Sequence, residues 1–186
     1  MAALANQRFN VILDFCYGTD RTSPQKSQAL AAPRCKELIN VQFLPELIAA
    51  EKGELDEWMT DKFAALALIV LLDQFALLLH QDTPRGFEIS SSLAIPLTKE
   101  LARKQWDTQL PDVMRADCYL PLVRSENMED QQLSLTLHSA FGSGIERAVE
   151  YRGIIVSFGR FPGRNALLGR NSTAAEEEYF RNGGVL

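Results

Sequence analysis

Apolar residues recur along this chain at the spacing of helices. Phe9, Ile12, Leu13 and Cys16 fall at i, i+3, i+4 and i+7, and Gly18 is placed to end that helix. Residues 19–33 are rich in Ser, Thr, Pro and Gln and read as a long loop. Arg34 to Lys52 is helical in character and closed by Gly53. Pro45 lies inside it, lacks a donor and crowds the preceding turn, so a kink or two shorter helices are expected. Thr60 is placed to cap a helix from Asp61 to His80. Within it, Phe63 to Leu79 is apolar except for Asp73 and Gln74. A central Asp costs roughly 2.5–3.5 kcal/mol on the membrane-insertion scale. The uninterrupted run, Ala64 to Leu72, is also too short to span a bilayer. The stretch therefore predicts a helix buried on nearly all sides, with no membrane role.

The second half repeats this grammar. Thr83-Pro84 offers a cap followed by proline at the first helical position, and Phe87 to Lys104 reads as helix despite Pro96. Leu110-Pro111 starts another helix, which Pro121 ends. Ser125 or Asn127 can cap the next, with Leu133, Leu137 and Ala140 on one face before Gly142. Ser143-x-x-Glu146 has capping-box spacing and opens a helix that runs to Phe158. Thr173-x-x-Glu176 does the same for a last short helix, whose Glu176, Glu177 and Glu178 read as a solvated first turn suited to the helix dipole. No stretch alternates with the period of a strand. The fold class is all-α, with antiparallel helix pairs packed in layers. The length suits a single domain over 1–186, with a tail from 182. No period near 34 residues recurs, so likeness to helical-repeat proteins lies in shape alone.

Charge and chemistry narrow the function. A formal net charge of −5 argues against a general nucleic-acid binder, which needs a basic face. Cys16, Cys35 and Cys118 are odd in number and far apart, a pattern of reduced thiols in a cytoplasmic protein. His80 and His138 have no Cys or His at ligand spacing, so neither a metal nor another cofactor is expected. The N-terminus lacks the basic and apolar regions of a secretion signal. Gly142-Ser143-Gly144 follows no strand and reads as a helix connection, not a phosphate loop. Trp58 and Trp106 read as anchors of core or loop.

One stretch concentrates the remaining chemistry. An apolar helical run stops at Gly159, and Arg160, Arg164 and Arg170 follow within eleven positions. Phe158, Phe161 and Leu167-Leu168 can hold that loop on a core. Three guanidiniums there need carboxylates, helix-end carbonyls or an anionic ligand to accept their donors.

Several blocks now carry a resemblance. They are Leu13-Asp14-Phe15-Cys16-Tyr17-Gly18, Gly53-Glu54-Leu55-Asp56-Glu57-Trp58, Leu71-Leu72-Asp73-Gln74-Phe75, Thr83-Pro84-Arg85-Gly86-Phe87 and Leu120-Pro121-Leu122-Val123-Arg124-Ser125-Glu126. The most specific is Phe158-Gly159-Arg160-Phe161-Pro162-Gly163-Arg164-Asn165, with Leu168-Gly169-Arg170-Asn171-Ser172-Thr173 after it. Together they resemble the mainly bacterial family known as domain of unknown function 924, from about residue 9 to 178. The resemblance implies a helical, TPR-like fold. It also implies histidines where this chain has Arg124, Gly163 and, near the Ile154-Ile155 pair, Tyr151. The Arg-Asn that often follows the Asp-Gln-Phe-Pro of relatives is replaced by Leu77-Leu78. Chemistry that needs imidazole at those places does not carry over.

Asp73, Gln74, Ser125, Glu126, Arg160, Arg164, Asn165 and Arg170 remain at matching positions. Arg124, Arg160, Arg164, Asn165 and Gln74 suit recognition of a carboxylate or phosphate, because guanidinium forks match such oxygens two at a time. The leading reading is a helical binding or interaction protein with an arginine-rich concavity for a small anionic ligand or a peptide carboxylate. A second is a histidine-free enzyme in which Glu126 or Asp73 moves a proton, should burial raise one of their pKa values. A third is a degenerate paralogue with a structural role, its arginines pairing with carboxylates such as Asp73. Oligomeric state is not legible.

Overall fold

A computed structural model of the chain describes residues 2–21 and 32–184. The loop expected over 19–33 lies for the most part outside them, as do the last two residues of the expected tail. Every regular element among the described residues is helical. In order these are α1 (Ala2–Tyr17), α2 (Cys35–Glu51), α3 (Lys62–Leu79), α4 (85–103), α5 (Asp112–Cys118), α6 (Leu120–Val123), α7 (Met128–Phe141), α8 (Ile145–Phe158) and α9 (Ala174–Arg181), with short 3₁₀ turns between some of them. They group into two compact units, one comprising residues 1–81 and 85–121, the other 82–84 and 122–186.

The first unit is organised around α3. Ala64 to Asp73 are buried without interruption. By length and composition α3 could cross a membrane, but 67% of it is buried inside the fold, which is the signature of a core helix. Its N-cap is Asp61, not the expected Thr60: Asp61 Oδ1 accepts from the Phe63 and Ala64 N–H groups at 2.9 and 3.0 Å. Thr60 instead donates to the Glu57 carbonyl at 2.7 Å and closes the preceding 3₁₀ turn. Phe43 of α2 meets Phe15 of α1 and Phe75 of α3 with ring centroids 5.1 and 5.3 Å apart.

Prolines act differently from expectation in both helices that contain them. Helix α2 runs through Pro45 as one element, because Ile39, Phe43, Leu47 and Ala50 bury its other face while Pro45 is exposed. Helix α4 accommodates Pro96 beside a π turn, Ser90–Ala94. The carbonyl with which a proline ring collides in a regular helix, that of Ser92, lies inside this widened turn. Helix α3 has a π turn of its own at Leu71–Phe75, and the Ser90 hydroxyl donates to Asp73 Oδ1 at 2.6 Å, joining the two.

The second unit is a helical hairpin, α7 and α8, followed by the arginine-bearing loop and α9. Asn127 is the cap of α7, accepting from the Glu129 and Asp130 N–H groups at 2.8 and 3.2 Å. Ser125 contributes differently, donating to Asp130 Oδ2 at 2.6 Å. The inward face of α7 is not the expected Leu133, Leu137 and Ala140 but Asp130, Gln131, Ser134 and His138. That face is polar because it meets the end of α6: Gln131 Nε2 donates to the carbonyls of Val123 and Ser125 at 2.8 and 2.7 Å. Helix α8 begins at Ile145 with Gly144 as its cap, so Ser143 does not close the expected box. Gly144 has φ +74°, and a Cβ there would stand 2.7 Å from His138 Cδ2. The Thr173–Glu176 capping box at α9 is present as expected.

Candidate functional site

The loop after α8 is held by an apolar seat. Ile154, Ile155 and Phe161 form a buried cluster with Tyr151 and Phe158 packed against it, and the Tyr151 and Phe161 rings meet edge-on at 5.4 Å. Gly159, with φ +69°, ends α8 in the left-handed conformation that glycine tolerates and turns the chain back. Once Phe161 is anchored, the flanking arginines are committed to one side of the loop.

Arg160 makes a two-point fork with Glu176: Nε to Oε1 at 2.6 Å and a terminal nitrogen to Oε2 at 2.8 Å. The same terminal nitrogen donates to the Asn171 carbonyl at 2.9 Å. Glu176 is 1% exposed, so it is not part of a solvated first turn, although Glu177 and Glu178 are exposed. Its Oε2 also accepts from the Thr173 N–H at 2.7 Å and from Asn165 Nδ2 at 3.2 Å. The Arg160 hydrogen bond and the Thr173 N–H hold its carboxyl down at about 2. Arg160 and Asn165, both candidates for ligand contact, are thus engaged in fastening α9 to the loop.

Glu126 is the second hub. Arg170 donates to Oε2 at 2.7 Å and to Oε1 at 3.0 Å, and the Phe161 N–H reaches Oε1 at 2.8 Å. Arg164 stands 4.0 Å from Oε1, donates to the Arg124 carbonyl at 2.8 Å and lies over the Phe161 ring at 4.2 Å. Burial pushes the Glu126 carboxyl up, but Arg170, the Phe161 N–H and the Arg164 charge outweigh it and leave it below the ordinary carboxylate range. Burial and the neighbouring charges of Arg124 and Arg170 bring the Arg164 guanidinium down to about 10, against the pull of Glu126. Three guanidiniums, those of Arg124, Arg164 and Arg170, therefore share the surroundings of one carboxylate.

The two remaining candidates belong to the first unit. Asp73 is buried in the π turn of α3 and accepts the Ser90 hydroxyl, and Gln74 beside it is half-buried. The arginines and Glu126 are all in the second unit.

Comparison with known proteins bears on the whole chain. Residues 12–184 match a bacterial protein family of unknown function, DUF924. The chain belongs to this family. A solved structure of a DUF924-like fold, the protein of unknown function ATU0120 from Agrobacterium tumefaciens, is similar at 30% identity with a TM-score of 0.81, over 97% of this chain and 98% of that one. No curated protein matches. In this DUF924 chain, Arg124 and Tyr151, two positions where the resemblance implies histidine, both act electrostatically on Arg164, and Gly163, the third, directly precedes it.

Sequence reasoning did not pair Glu176 with Arg160 or give Arg170 a role in the site. The capping-box spacing signals where Glu176 sits on α9, but not that a loop residue sixteen positions earlier folds back to it. Two buried phenol–carboxylate pairs were also missed. Tyr17 donates to Asp117 Oδ2 and Tyr119 to Asp107 Oδ2, each at 2.6 Å, and burial raises both phenols above their ordinary range.

Proposed function

We propose that this DUF924 member is a cytoplasmic binding protein, with its helices paired in a TPR-like manner, that takes a small anion or a peptide carboxylate at Arg124, Arg164 and Arg170. The observation that supports the reading is the imbalance around Glu126. One carboxylate serves three guanidiniums, and Arg164 makes its close contact with a neutral carbonyl at 2.8 Å while standing 4.0 Å from the carboxylate. An anion brought to that place would meet fixed positive charge already oriented by the Phe161 seat, at no cost of reorganisation. Arg160 has no part in this, since Glu176 takes both arms of its fork.

The acid–base reading is less well supported. A general acid near neutral pH needs a raised carboxyl, whereas Glu126 is lowered and held by Arg170 and a backbone N–H. The decisive experiment is isothermal titration of the purified chain with acetate, phosphate and citrate at constant ionic strength. Saturable binding that Arg164→Ala abolishes is expected. Binding that is absent, or that survives this substitution unchanged, sinks the reading.

A further inference from the structure

The second unit contains two Arg–Glu forks, and they are built to different ends. The Arg160–Glu176 fork is wired into secondary structure: Glu176 is 1% exposed, completes the capping box of α9 and accepts from Asn165 as well. Freeing that carboxylate would uncap a helix. The Arg170–Glu126 fork has no such duty. Glu126 lies between α6 and α7, its side chain is 26% exposed, and α7 is capped independently by Asn127 with Ser125 bound to Asp130. Its head group can leave without unwinding any helix.

What surrounds that head group is a carboxylate receptor. Arg170 supplies a planar two-point fork at 2.7 and 3.0 Å, and the Phe161 N–H a third donor at 2.8 Å. Arg164 supplies a second guanidinium at 4.0 Å, held over the Phe161 ring. A fork with in-plane donors fits the two oxygens of a carboxylate, whereas a tetrahedral phosphate presents oxygens outside that plane. We propose that Glu126 is an internal occupant of the anion site, and that the external ligand is a carboxylate which binds by displacing it. This rests on the binding reading above and adds to it a ligand class and a built-in competitor. A site filled by its own side chain nine-tenths of the time binds about tenfold more weakly than the same site vacated.

The test measures acetate and phosphate binding to the wild-type chain, Glu126→Gln and Arg164→Ala at fixed ionic strength. Removing the competitor should tighten acetate by about tenfold while phosphate changes by clearly less, and Arg164→Ala should weaken acetate. An equal gain for acetate and phosphate would show a general charge effect and overturn the displacement. Equal acetate affinity in wild type and Glu126→Gln overturns it too, yet leaves anion binding standing. No binding to any form overturns both. Should Glu126→Gln not fold, Glu126→Ala refolded in acetate replaces it, where a rise in thermal midpoint with acetate but not phosphate is expected and its absence refutes the proposal. Once displacement is seen, a peptide with a free C-terminus and its amidated counterpart distinguish a small acid from a chain end as the source of the carboxylate.

Discussion

Gly86 of α4 approaches Leu77 of α3 so closely that a Cβ built on it would stand 2.8 Å from the Leu77 Cα and 3.0 Å from the Ala76 carbonyl oxygen. Both obstacles are backbone, so neither can turn aside as a side chain would. Gly86→Ala is therefore expected to destabilise the protein by about 1–3 kcal/mol, despite the better helix propensity of alanine. Gly153, inside α8, has nothing within 4 Å of the same hypothetical atom. There alanine should stabilise by up to about 1 kcal/mol. Urea denaturation of the two variants should give opposite signs, and equal signs would refute the close approach.

Glu176 predicts an acid-sensitive fastening. Its folded carboxyl titrates at about 2, below an unfolded value of about 4.3. The folded state then binds fewer protons, so this stabilisation is full above the unfolded value and is lost as the pH falls towards 2. Glu176→Gln keeps the size and one acceptor of the cap but not the charge. At pH 7 it should lower the thermal midpoint by roughly 5 °C or more, and by pH 2.5 most of the difference should vanish. A constant difference across that range would show that the charge contributes nothing.

His138 predicts a second pH effect at a higher value. Burial lowers its pKa against the hydrogen bond to the Ser134 carbonyl, and the Arg147 charge adds to the lowering. Unfolded, the ring titrates near 6.5, so the unfolded chain binds more protons below that point and stability declines as the pH falls through it. Denaturation of wild type and His138→Gln at pH 7.5 and 5.5 checks this. The variant should lose less stability between the two values, and an equal loss would count against His138 as the source.

Arg170 and Arg124 should part company in stability. Arg170→Ala removes both arms of the fork on Glu126 and should cost about 1–3 kcal/mol. Arg124→Ala removes a like charge beside Arg164 and should cost less than about 0.5 kcal/mol. Urea midpoints of the two single variants decide it. If Arg124→Ala proves as damaging as Arg170→Ala, Arg124 is a structural partner and not part of an anion site.

The all-helical character was legible because its signals are local. The apolar run of α3 needs burial whatever surrounds it, and Asn127 and Thr173 announce helix starts by spacing alone. Errors arose where partners are distant in sequence. The inward face of α7 reads as apolar from Leu133 and Leu137, but Gln131 is drawn inward by carbonyls six to nine residues earlier. Glu176 reads as a surface cap because the sequence does not show that Arg160 returns to it across sixteen residues. The arginines were recognisable as charges in need of acceptors. Which acceptor each one takes depends on the fold of the loop around Phe161.

The two π turns also change how insertions and deletions should be read in α3 and α4. Each π turn carries one more residue per turn than regular helix, so the segment after it is rotated by about 100° relative to an uninterrupted helix. Ala76 and Ile95 thus face the core in a phase set upstream, at Leu71–Phe75 and Ser90–Ala94. Loss of a single residue from either turn would restore regular winding while swinging everything beyond it out of phase, separating Asp73 from Ser90. The widened turns are thus the angular registration marks of the helices that contain them.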